Sequence, residues 1–105
     1  MDTVVALKTC IELRRFVRQV LCDHDRLDPH QTPFFQAMLR RSDKPCGLYF
    51  EIEGPRMLRA HAIWAADEHR LLFYDSTGNR FADMRLSEAP EVEHLIDESS
   101  STLAA

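Results

Sequence analysis

Residues 46–86 read CGLYFEIEGPRMLRAHAIWAADEHRLLFYDSTGNRFADMRL. The stretch resolves into four short strands, Cys46–Glu53, Met57–Ala66, Arg70–Asp75 and Arg80–Leu86, joined by three tight connections. In the first strand Leu48, Phe50 and Ile52 alternate with Tyr49, Glu51 and Glu53. In the second, Leu58, Ala60, Ala62 and Trp64 alternate with Arg59, His61 and Ile63. A one-residue slip would exchange the two faces, so the apolar alternation fixes the parity of every connection.

A three-residue loop Gly54-Pro55-Arg56 would set Ile52 against Leu58, Phe50 against Ala60 and Leu48 against Ala62. The next loop sets Trp64 beside Leu71 and Ala62 beside Phe73. The turn Ser76-Thr77-Gly78-Asn79 sets Phe73 beside Ala82 and Leu71 beside Met84. One face is then continuous core, with small residues at Ala60, Ala62 and Ala82 that let a helix approach and Phe16 as a filler.

The other face follows from the same parity. Tyr49, His61, Tyr74 and Phe81 fall in one row, Glu51 beside Arg59 in the next, and Ile63 beside Leu72 on the far side. A solvated antiparallel face is usually more polar than this. Three covers are open: a second helix of the same chain, a second copy of the chain, or a ligand.

Outside the sheet, Asp2 or Thr3 can cap a first helix running to about Cys22. Leu13, Phe16, Val17, Val20 and Leu21, extended by Ala6 and Cys10, give its core stripe. Val4, Leu7 and Ile11 lie on a second line, buried either by the chain itself or by a helix-to-helix dimer contact. Arg14, Arg15 and Arg18 make a basic side, favourable late in a helix. Asp28-Pro29-His30-Gln31 resembles a capping box, with Thr32-Pro33 as a rival start, for a short second helix ending near Arg41. Its edge of Phe34, Phe35, Met38 and Leu39 is the first candidate cover for the outer face. Val92, Leu95 and Ile96 have helical spacing behind Pro90, and residues 99–105 read as a frayed tail.

The fold expected is therefore α+β: an N-terminal helix and a short second helix packed on a four-stranded antiparallel β-meander, as one domain over residues 1–98. A chain of 105 residues has room for one core. All 13 Lys and Arg lie in residues 1–86 with 12 of the 17 acidic residues, so the body is near +1 and the segment beyond Leu86 is −5. That balance disfavours general nucleic-acid binding, which needs a basic face. No apolar run approaches the ~20 residues of a membrane span, and Asp2 and Lys8 do not suit a secretory leader. Three cysteines without paired spacing suggest reduced thiols and a cytoplasmic location.

No stretch carries a catalytic or cofactor signature. Cys22, His24 and His30, with Asp25 and Asp28 nearby, match no standard zinc spacing, and Asp23, Asp25 and Asp28 lack the Gly and closing Glu of a calcium loop. Neither a metal nor a cofactor is expected. The leading function is a small binding or adaptor module that self-associates, or takes a protein partner or small ligand, through Tyr49, Glu51, Arg59, His61, Tyr74 and Phe81. One alternative is an enzyme using His61 as general acid or base with Glu51 or Arg59. Another is weak nucleic-acid binding through Arg14, Arg15 and Arg18.

Overall fold

The computed structural model describes residues 3–91. It is an α+β fold with one helix and a six-stranded mixed sheet. The elements are β1 (Thr3–Ala6), α1 (Cys10–His24), β2 (Phe34–Arg41), β3 (Lys44–Glu53), β4 (Arg59–Ala65), β5 (Arg70–Tyr74) and β6 (Arg80–Glu88). The strand order is β1-β6-β5-β4-β3-β2, antiparallel throughout except for β1 beside β6. The four-stranded, two-helix arrangement expected from the sequence is thus corrected at both ends of the sheet.

At the N-terminus the helix starts later than expected. Val4 and Val5 are β-branched and pair in parallel with Arg85 and Leu86. The cap is Thr9, whose hydroxyl accepts from the Glu12 N–H at 3.1 Å, with Glu12 at the third position of a capping box. Val4, Leu7 and Ile11 therefore do not share a helix face. Val4 is exposed on β1, Leu7 is buried, and Ile11 is exposed on α1.

The second expected helix is a strand. Asp28 builds a turn instead of a cap: its carboxylate accepts from the His30 N–H at 2.9 Å, and its carbonyl accepts from the Thr32 hydroxyl at 2.7 Å. Phe34–Arg41 then runs antiparallel to β3, closed by Ser42 and Asp43, both at positive φ (52° and 65°). Two such residues make the primed turn that matches strand twist.

β1 and β2 occupy opposite edges, and α1 lies over the face between them, with Arg14 and Arg18 at Phe34 of β2 and its last residue, His24, stacked on Phe81 of β6. Leu13, Val17, Leu21 and Cys22 are fully buried against Leu48, Phe50, Ile52, Trp64, Leu71 and Phe73. Ala60 and Ala62 leave the room expected, and Phe16 meets Phe73 edge-on with ring centroids 6.4 Å apart. No helix among the described residues is long and apolar enough to cross a membrane. The expected C-terminal helix and tail lie outside the described residues.

Candidate functional site: the outer face of the sheet

The face away from α1 is ordered by register. One row runs Phe35, Glu51, His61, Tyr74, Arg80, and the next runs Ala37, Tyr49, Ile63, Leu72, Asp83. The β4–β5 register is as expected, with Trp64 opposite Leu71 and Ala62 opposite Phe73. So is the core side of β5–β6, with Phe73 opposite Ala82 and Leu71 opposite Met84.

The β3–β4 register differs by two residues: Ile52 faces Ala60, Phe50 faces Ala62 and Leu48 faces Trp64. A longer connection causes this. Pro55–Met57 forms a 3₁₀ turn, Arg56 and Met57 both have positive φ, and the Gly54 N–H donates to the Leu58 carbonyl at 2.7 Å. A two-residue shift preserves which side chains face the core and changes only their neighbours.

Tyr49 consequently lies opposite Ile63, one row from His61, and meets it diagonally at a centroid distance of 5.6 Å. His61 stacks on Tyr74 at 4.8 Å and 11°, so the three rings still form one run. Glu51 is not beside Arg59. It accepts from the Tyr49 hydroxyl at 2.8 Å, while Arg59 lies 4.0 Å from Glu53. Burial, with the Glu51 carboxylate second, pushes the Tyr49 phenol up to about 12.

Phe81 leaves the outer face altogether. A bulge between Phe73 and Tyr74 pairs Tyr74 with Arg80 and turns Phe81 to the helix side. There it stacks on His24 at 3.7 Å and tilts against Phe73 at 5.9 Å. Its place on the outer row is taken by Arg80, which with Arg70 flanks Asp83.

Phe34, Phe35, Met38 and Leu39 do not cover this face. As a strand they split, Phe34 and Met38 packing on the core and Phe35, Ala37 and Leu39 enlarging the outer surface. No described element lies over Tyr49, His61, Ile63, Leu72 and Tyr74, each of which is half-buried.

The remaining candidates scatter. Cys22 is fully buried, its thiol pushed up by desolvation, and no three metal-ligating side chains come together among the described residues. Arg14 and Arg18 sit over the Phe34 ring at 5.8 and 5.6 Å, and Arg18 also donates to the Thr32 carbonyl at 3.2 Å. A 220 Å³ concavity of Phe35, Gln36, Tyr49, Glu51, Glu53 and Arg59 flanks the aromatic run without including His61.

Fold and site together define a helix-on-sheet domain with an aromatic-centred face that no described element covers. Comparison with protein-family models, with curated proteins and with solved structures gives no match.

Proposed function

We propose that the protein is a self-associating binding module in which two copies pack outer face to outer face. The observation that carries this is the run Tyr49–His61–Tyr74 with Ile63 and Leu72, left bare by every described element.

A second copy is favoured as occupant because the face is complementary to itself. In the row through His61 and Tyr74 its acidic group, Glu51, lies on β3 and its basic group, Arg80, on β6. A two-fold axis along the strands between β4 and β5 places β3 of one copy over β6 of the other and keeps each row over itself. Glu51 then lies over Arg80, Tyr49 over Asp83, Ile63 over Leu72 and His61 over Tyr74. Such an isologous contact is the common form of a homodimer. Two sheets packed this way lie about 10 Å apart. Five strands at ~4.8 Å give a patch about 24 Å across, the scale of a standard interface.

The experiment is solution mass by light scattering across a concentration series, with charge-swapped variants. Glu51→Arg alone and Arg80→Glu alone each set like charges together and raise the dimer dissociation constant by roughly tenfold, and the double variant restores it. A wild-type monomer at every concentration, or a dimer indifferent to both swaps, refutes the reading.

A further inference from the structure

We propose that the free edge of β2 is a strand-addition site for an extended acidic segment of another protein, independent of the face pairing above.

Backbone phase gives the first reason. The Glu53 N–H donates to the Pro33 carbonyl at 3.2 Å, which makes Pro33 and Glu53 a hydrogen-bonded pair. Counting by twos, Phe35, Ala37 and Leu39 direct their N–H and C=O groups toward β3. Phe34, Gln36 and Met38 direct theirs outward, where the described sheet has no further strand. Protein edges are usually blunted by proline, charge, brevity or a bulge. β2 is eight residues long, has no proline, meets its first charge at Arg40, and carries its irregularity only between Leu39 and Arg40.

Charge gives the second reason. On the helix side of that edge, Ile11, Arg14, Arg15, Arg18 and Phe34 line a concavity of about 210 Å³. An added strand would turn every second side chain toward it. Acidic groups on that side of the added strand face the arginines, while the intervening residues lie beside Phe35, Ala37 and Leu39 on the apolar outer side. The recognition is strand addition with charged side-chain readout.

The test uses a fluorescent octapeptide of alternating Glu and Val and measures anisotropy on the full chain. We expect saturable binding that weakens about tenfold or more between ~50 and ~300 mM salt. The peptide methylated on alternate backbone nitrogens, in the register that blocks pairing, loses binding. Arg14→Glu with Arg15→Glu weakens it at least about tenfold. Met38→Pro removes one outward N–H, spares the β3 ladder and also abolishes binding. Circular dichroism checks that each variant is folded. Were Met38→Pro misfolded, the arginine pair and the methylated peptide decide alone.

Equal binding of a Lys–Val peptide, indifference to backbone methylation, or no binding by ~1 mM overturns the proposal. So does displacement of the peptide by a single-stranded oligonucleotide at lower concentration than by unlabelled peptide, which would make the arginines a nucleic-acid contact. A drop in solution mass on Met38→Pro without peptide would make a second copy the occupant, and overturns it as well.

Discussion

Gly47→Ala tests the sheet register most directly. Gly47 lies in β3 opposite Ala65, and a Cβ there would stand 1.9 Å from the Trp64 carbonyl oxygen and 3.0 Å from its carbon. The obstacle is backbone of β4, a strand paired on both sides whose Trp64 side chain is 1% exposed. β4 cannot recede, so β3 must move by about 1 Å, enough to spoil two ladder bonds worth about 1 kcal/mol each. Overpacking adds about 1–3 kcal/mol, for a total near 3–5 kcal/mol. In a urea titration with an m-value of about 1.5 kcal/mol/M, the midpoint falls by ~2–3 M. Two controls separate the causes. At Gly54 the new methyl is crowded only by the flexible tip of Leu27 at 2.9 Å, with Leu58 at ordinary contact distance, so Gly54→Ala costs less than ~1 kcal/mol. At Gly78 nothing lies within 4 Å but φ is +89°, so Gly78→Ala costs about 1–2 kcal/mol from torsion alone. A Gly47→Ala midpoint within ~0.5 M of Gly54→Ala would mean that β3 and β4 do not pair as described.

Three further outcomes are expected. The Tyr49 phenol titrates near 12, and because its folded value is raised, stability is complete below about pH 10 and falls as pH rises through 12, by about 1 kcal/mol after solvent screening. Glu51→Gln lowers that midpoint in an ultraviolet titration without returning it to 10, since burial is the larger cause; a complete return refutes that order of causes. Asp75 accepts from the Thr77 hydroxyl and from the Thr77 and Asn79 N–H groups, and its pKa is lowered chiefly by the Thr77 side chain. Stability from this turn is present above the ordinary carboxylate value and is lost as pH falls through the folded one; Thr77→Val raises the carboxyl midpoint followed by NMR, and an unmoved midpoint contradicts the assignment. Cys22 is fully buried, so a colourimetric thiol reagent titrates at most two thiols in the native protein and three in denaturant; three in the native protein would contradict the packing.

What could be read from the sequence followed from parity. Inner and outer faces of β3, β4 and β5 are fixed by alternation, and a two-residue slip is invisible to alternation because it leaves every side chain on its own face. The slip came from Arg56 and Met57, whose positive φ values no propensity suggests. Phe81 was misplaced because a bulge adds one residue and so reverses parity locally, and its hydrophobicity suits either face. β2 was hidden because Phe34, Phe35, Met38 and Leu39 fit a helical edge as well as a strand apolar on both sides. Its turn, Ser42-Asp43, lacks the Asn-Gly pair that usually marks such hairpins. The helix start at Thr9-Cys10-Ile11-Glu12 has capping-box spacing, but the apolar stretch before it suits a helix capped at Asp2 or Thr3 as well as it suits a strand.

The two proposed surfaces are separable because they use different groups of the same sheet. The face contact centres on side chains of β3 to β6, and its two-fold leaves β2 at the rim. The edge contact is made by backbone groups of Phe34, Gln36 and Met38 and by arginines on the opposite side of the sheet. Phe35 is the one residue common to both, 43% exposed on the outer side of the edge strand. A partner strand laid on β2 would widen the outer face by one strand, adding apolar surface to the patch on which the second copy sits. Binding at the edge should then tighten the dimer, and by reciprocity the dimer should tighten edge binding. With the peptide present, Ile63→Asp on the face and Met38→Pro on the edge strand should each remove one contact and weaken the other. If each left the other unchanged, the two surfaces would act alone.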